Sequence, residues 1–566
     1  MRNLGLISTG AITLLATSLA IASGASPTTL TQAQAKNVRI QAVNAYAGTP
    51  AAQAAKKAGD DASNAGKFDA AVGDYKKAIT LDPRYAAAQE AYMRAVTARY
   101  SNPLYFHATS LKQIKAERKQ LKIAAKKDKQ LEKEFTVEYK ALAKRNPDNP
   151  VYPWILGQLA VGAKQGKYCT QAVKIDPKFG RGWECLAQLE VVRAHPKKVV
   201  KYYGRAMQLS PNDAQIAGWY GFFLNEVAGD HSAELASLAR RFPKSQFVAS
   251  DVVASIQAFK TNAEREAAWS QLVQNPPGAS DIVKSMAADN LYEAYVASDL
   301  SKAKALSHQM VAASHGDSPW GKREQYVDGL IKAQHEIASA HPLLALVSLG
   351  GVKDLGSADR WYLLEAQAMD AAGRTMSGIE QLRDRFAAHP SPELMTSMVN
   401  YGAKVGESQS AIIAMVWQKL RATSKPAPPF TLARLDGHGT VSLSNYRGRP
   451  VIADFWFPYC ENCRQAFPNL NKIALKFSSR GLTVFAINGI KDEQQLAEPY
   501  LRGMGYDFVG LAANSKWASD VYGVIGYPTT FFIGPGGNIL FQMDVRGYTA
   551  LRSAKEAVKF MLTRSG

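Results

Sequence analysis

Cysteine is scarce in this chain: four residues in 566, at positions 169, 185, 460 and 463. Four cysteines permit two pairs and no more. There is one CxxC and no HxxxH, so a zinc site, which needs about four ligands, has nothing to build on. Acidic residues are outnumbered, 48 Asp and Glu against 68 Lys and Arg, leaving a net charge of +20. No nucleic-acid motif accompanies that basic balance, and nucleic acid is not read as a partner. Long apolar runs are missing beyond the N-terminus, where a membrane span would need about 20 apolar residues. What is present, 46 % hydrophobic residues over this length, is enough for several large cores.

Met1-Arg2-Asn3, a diluted apolar stretch from Leu4 to Ala22, and small residues at Ala20-Ile21-Ala22 and Ser23-Gly24-Ala25 have the layout of a secretory signal peptide over residues 1–25, cleaved near Ala22 or Ala25. The alternative, a retained anchor, fits less well because the stretch is short and weakly apolar. No cysteine follows it to carry a lipid. This reading predicts export to a bacterial periplasm or cell envelope, with no transmembrane segment left after cleavage. In such an oxidising compartment Cys169 and Cys185 could close a structural disulfide; two free, buried thiols are the alternative.

Residues 26–48, rich in Thr, Gln, Ala and Ser, read as linker. From 49 to 422 the pattern is helical and repetitive. Gly59, Gly66, Phe68, Ala71, Tyr75, Ala78 and Leu81-Asp82-Pro83 match the tetratricopeptide pattern, in which small residues let two antiparallel helices approach and a proline ends the second. Similar endings recur at Pro147, Pro177, Pro211 and Pro243, which are 30, 34 and 32 positions apart, against about 34 for this repeat. A solenoid of eight to ten helical pairs is expected, its concave face either holding a protein partner or serving only as scaffold. The lysine-rich stretch from Lys112 to Arg145 reads as a solvated helix face, with a contact to anionic lipid or an acidic partner as the sharper alternative.

The prolines of Thr423 to Pro429 mark a boundary, since clustered prolines cannot continue a helix. Beyond it, Val451 to Trp456 is a β-branched and aromatic run that reads as a buried strand, and Gln465 to Phe477 is close to a helical period. Cys460 and Cys463 therefore sit where a strand hands over to a helix N-terminus. Unsatisfied amides and the helix dipole there stabilise a thiolate, which makes Cys460 the attacking thiol and Cys463, one turn on, the resolving one. Further strands are expected over 482–487, 529–533 and 539–545, with helices over 492–504 and 550–562. That alternation fits an α/β sheet domain over 423–566.

This region resembles the periplasmic thioredoxin-like proteins of the TlpA and ResA type. The resemblance lies in Ala427-Pro428-Pro429-Phe430, Leu435-Asp436-Gly437, Tyr446-Arg447-Gly448-Arg449-Pro450, the CxxC with its strand, and Gly526-Tyr527-Pro528-Thr529-Thr530. It implies a thioredoxin fold and a redox disulfide between Cys460 and Cys463, with a cis bond at Pro528 beside it. Where that family usually carries a glutamate three residues after the second cysteine, this chain has Ala466. Asp454 instead stands where thioredoxin has its buried aspartate, and an acid buried in a strand is suited to carry the Cys463 proton.

The fold class expected is thus multidomain, an all-α tetratricopeptide-like solenoid followed by an α/β thioredoxin fold. The activity implied is thiol-disulfide exchange on protein partners, without a cofactor or metal. Cys460, Cys463 and Asp454 would do the chemistry, and Trp456, Tyr527 and Pro528 would shape the surface that docks the partner. Glu461 opposes a stabilised thiolate; Arg464 pulls the other way but can extend into solvent, and the resemblance, to proteins that act mainly as reductants, implies a reductant fed by a membrane reductant. A scaffold or adaptor whose redox domain only senses is the rival. A peroxidase fits poorly, because Phe457 stands where peroxiredoxin-like sites want a threonine.

Overall fold

The structure, a computed structural model, describes residues 46–98 and 111–563 apart from 228, 260, 314–317 and 357. The proposed signal peptide and all but the last three residues of the proposed linker lie outside the described residues. Between Pro50 and Thr423 the described chain forms 20 α-helices. The first two, Pro50–Asn64 and Phe68–Leu81, show why the small residues recur. A Cβ on Gly59 would sit 2.6 Å from the Tyr75 ring, so only glycine lets the two helices close. Gly66 takes φ of +70° in the turn between them, where other residues are strained.

The helices that end at Leu81, Arg145, Ile175, Leu209, Arg241 and Ala388 each stop two residues before a proline. The residue before proline is pushed out of the helical region, which sets the spacing read from the sequence. The lysine-rich stretch belongs to one helix, Leu111–Arg145. Its later half is amphipathic: Leu131, Phe135 and Tyr139 are buried at helical spacing, and the Tyr139 hydroxyl donates to Gln89 Oε1 at 2.6 Å.

The chain divides into two compact bodies. One holds the described residues up to Leu189 together with Lys198–Ile216; the other holds Glu190–Lys197 and Ala217–Gly566. In the first body Cys169 and Cys185 are bonded, with Cα atoms 5.5 Å apart and no exposure of either residue. A Cβ on Gly157 would lie 2.8 Å from Cys185 Sγ, so the bridge is seated against a bare helix face.

In the second body the α/β region is a sheet of eight strands: β1 Lys425–Pro426, β2 Thr431–Arg434, β3 Thr440–Ser442, β4 Val451–Trp456, β5 Thr483–Asn488, β6 Val509–Ala512, β7 Thr529–Ile533 and β8 Asn538–Gln542. The order is β1-β8-β7-β4-β5-β6-β2-β3. Central β4 runs parallel to β5 and antiparallel to β7, and is buried at every position. Alternation along β4 splits the core. Val451, Ala453 and Phe455 face one cluster with Phe430, Phe485 and Phe531. Ile452 and Trp456 face the other, which contains both cysteines of the CxxC and Phe467.

Four helices complete this region: α1 Glu461–Phe477, α2 Gln494–Gly503, α3 Ser515–Tyr522 and α4 Gly547–Met561. Secondary structure changes at the expected boundary, since the last helix of the array ends at Thr423 and β1 begins at Lys425. Packing does not break there. Phe560 of α4 packs against Phe386, edge-on, and Trp417, tilted, of the array at ring distances of 5.4 and 4.7 Å. Trp417 Nε1 donates to Thr563 Oγ1 at 3.0 Å. One apolar cluster contains Ile379, Leu394, Val416 and Leu420 as well as Ile452, Leu470 and Val558.

Candidate functional site

Cys460 is the N-cap of α1, with φ −73° and ψ 105°, and its Sγ accepts from the Cys463 backbone N–H at 3.2 Å. A sulfur in that position faces unpaired amides and the positive end of the helix dipole, the environment that favours a thiolate. Cys460 and Cys463 are bonded to each other. Cys460 is 6 % exposed and Cys463 is fully buried, so only the first sulfur offers an approach. In the loop before β7 the Tyr527–Pro528 peptide bond is cis, as the resemblance implied. Tyr527 and Pro528 are half-buried, and the Tyr527 ring meets Phe457 edge-on at 5.3 Å. Tyr527 lies so close to Gly489 that a Cβ there would come within 2.2 Å of its hydroxyl. Ile525, just upstream, is 50 % exposed.

Asp454 is buried in β4, on the same face as Ile452 and Trp456 by strand alternation, which is the face α1 covers. Its Oδ1 accepts from the Thr530 hydroxyl at 2.6 Å, while Oδ2 has no protein partner. Burial pushes its carboxyl up to about 8, with the Thr530 hydrogen bond pulling the other way. A carboxyl in that range can hold or release a proton near neutral pH.

Two expectations are corrected. Trp456 cannot form part of a docking surface: it has no exposure and packs between Phe467 and Tyr500 at 4.7 and 5.6 Å. The reason is the strand period, which turns residue 456 inward together with 452 and 454. Arg464 does not reach into solvent. It is 4 % exposed, it donates to the Pro458 carbonyl at 2.8 Å, and its guanidinium lies 5.9 Å from the Phe223 ring centre. Glu226, on the same helix as Phe223, also acts on it electrostatically. Neither Phe223 nor Glu226 carried a sequence signal, because their approach to residue 464 exists only in the folded chain.

A parallel β4–β5 pair flanked by antiparallel β7, a CxxC capping the helix after β4, and a cis-proline just before β7 define a thioredoxin-like domain. Comparison with known proteins agrees. Residues 423–542 match the family model described as AhpC/TSA family. The thiol-disulfide oxidoreductase ResA of Bacillus subtilis is 29 % identical over 114 residues, covering 20 % of this chain and 63 % of ResA. The thiol:disulfide interchange protein DsbE of Pseudomonas fluorescens is 32 % identical over 127 residues, covering 21 % of this chain and 65 % of DsbE. The chain thus spans less than two thirds of either relative. Among solved structures, the thioredoxin domain of a thiol-disulfide oxidoreductase from Bacteroides vulgatus is 26 % identical, with 24 % of this chain and 96 % of that one covered and a TM-score of 0.22. The matched family model lies in the C-terminal quarter of the chain. Among the described residues no cluster of His, Cys, Asp or Glu could hold a metal ion, and no helix is long and apolar enough to cross a membrane.

Proposed function

We propose that this protein is an exported thiol-disulfide oxidoreductase of the cell envelope that reduces disulfides in partner proteins. The observation that carries the reading is the asymmetry of the CxxC, with Cys460 at the helix cap and partly open and Cys463 closed off behind it. The Cys460 thiolate attacks a partner disulfide, forming a mixed disulfide and releasing one partner thiolate. Cys463 passes its proton to Asp454 and attacks Cys460 Sγ, releasing the second partner thiolate and closing the Cys460–Cys463 bond. Two electrons move to the partner, and a membrane dithiol reductant restores the pair. Tyr527, Pro528 and exposed Ile525 form the rim on which the partner docks, and the helical array gives it a second hold.

Trapping tests this reading. Cys463→Ser in the full chain is expected to accumulate mixed disulfides through Cys460, and Cys460→Ser to form none. Faster alkylation of Cys463 than of Cys460 in the reduced protein would reverse the assigned roles.

A further inference from the structure

The helix Ala214–Glu226 lies some 240 positions before the CxxC in sequence, yet its last turn meets the first turn of α1 within the second body. Arg464 directly follows Cys463, and its buried guanidinium is held from two sides. On one side it donates to the carbonyl of Pro458, in the turn that leads into Cys460; its Nε has no protein partner. On the other is the Phe223 ring; the part-buried Glu226, three residues on in the same helix, acts on it electrostatically. A second touch lies nearby: a Cβ on Gly503, at the end of α2, would be 2.3 Å from the Ala194 Cβ. Helices of the array thus reach the redox domain at its active-site turn as well as at α4.

A guanidinium kept out of water one residue from the CxxC is a strong local cation, since low dielectric magnifies its field. Alone, it would stabilise the Cys460 thiolate and drive the pair towards the oxidising end of the range. We propose that the last turn of this helix tunes the redox centre: Phe223 packs on Arg464, which donates to Pro458, and Glu226, three residues on, offsets its charge across space, so that an element of the helical array sets the thiolate stability, and hence the reducing power, of Cys460–Cys463. This rests on the oxidoreductase reading. The other titratable groups facing Glu226 are the Tyr500 and Tyr506 phenols, both held neutral by burial, which raises them. Burial also pushes the Glu226 carboxyl up to about 7, with Arg464 opposing, so the offset strengthens as pH rises through neutrality.

The test compares two full-length variants by the sign of their effects. With the chain chemically reduced, the pH profile of Cys460 alkylation by iodoacetamide gives the thiol pKa. Glu226→Gln removes the carboxylate and leaves Arg464 unopposed, so that pKa is expected to fall by roughly half a unit to one unit. The equilibrium constant with glutathione is expected to move about three- to tenfold in favour of the reduced pair. Arg464→Met removes the cation, and both readings are expected to move the opposite way; Glu226→Asp is expected to restore wild-type behaviour. A merely structural contact would loosen the site in the same direction in both variants, and that result, or unchanged pKa values in Glu226→Gln with an unchanged melting temperature, would overturn the proposal. Should Arg464→Met fail to melt cooperatively, the sign in Glu226→Gln decides alone. If the wild-type chain exchanged with no dithiol at all, the oxidoreductase reading would fall, while the alkylation profile would still decide the electrostatic role of Glu226.

Discussion

Asp454, the proposed proton carrier, shows at the scale of one residue what burying an acid does to stability. Its folded pKa of about 8 lies far above the ~3.9 of an unfolded aspartate. The folded state therefore binds more protons than the unfolded state between these values, and stability falls as pH rises from about 4 to about 8. Asp454→Asn keeps the shape and removes the charge. It is expected to stabilise the chain at pH 8 by on the order of 2 kcal/mol, to flatten the pH dependence of the melting temperature, and to slow disulfide exchange by roughly 10²-fold, in the range of a lost general base. Melting curves at pH 5 and pH 8 together with stopped-flow exchange rates check both halves; an unchanged rate would reduce Asp454 to a buried structural acid. The position of this acid was legible because it precedes the CxxC by six residues in a strand with no polar neighbour. The burial of Arg464 was not, because nothing local distinguishes an arginine on a solvated helix face from one pinned by a distant Phe223.

Among the elements, α1 and β4 were the most legible. The apolar run of β4 and the period of α1 each depend on nearby residues, and the cap at Cys460 falls where those two patterns meet. β6 carried little signal, as four residues with Gly510 among them neither alternate nor favour a strand. α4 was visible as a helix, but its outer face was not visible as an interface. That face carries Phe560, which is 2 % exposed between Phe386 and Trp417. Phe560→Ala is expected to cost about 3–5 kcal/mol, the usual loss for a large aromatic removed from a closed core. Chemical denaturation of the full chain measures it, and a loss under 1 kcal/mol would mean that the array and the redox domain are only loosely apposed.

At the scale of the molecule, the proline-rich turn at 423–429 marks a change of secondary structure without marking an independent folding unit. A sequence boundary is written in local composition, whereas the shared cluster of Ile379, Val416, Leu470 and Val558 joins residues up to 179 positions apart. A fragment that starts at Thr423 would bare the side of α4 that carries Phe560. It is expected to bind hydrophobic dye and to melt below the full chain. A fragment starting at Thr375, which keeps the three array helices nearest α4, is expected to recover much of the loss. Equal melting temperatures for the two fragments would show that α4 needs no cover. The endings before proline, by contrast, were legible across the array because one residue type enforces each stop.

The second disulfide of this chain takes on a particular meaning beside such a redox centre. Cys169 and Cys185 are both without exposure, with Gly157 leaving room for nothing larger than a hydrogen against their sulfurs. Thiol-disulfide exchange needs a thiolate to approach a sulfur directly, and here there is no approach. A catalyst that opens disulfides in other proteins would, at high local concentration, be the first threat to its own. On the proposed function the buried bridge would be out of reach of that chemistry, so that one molecule holds a bond meant to be spent and another meant never to be reached.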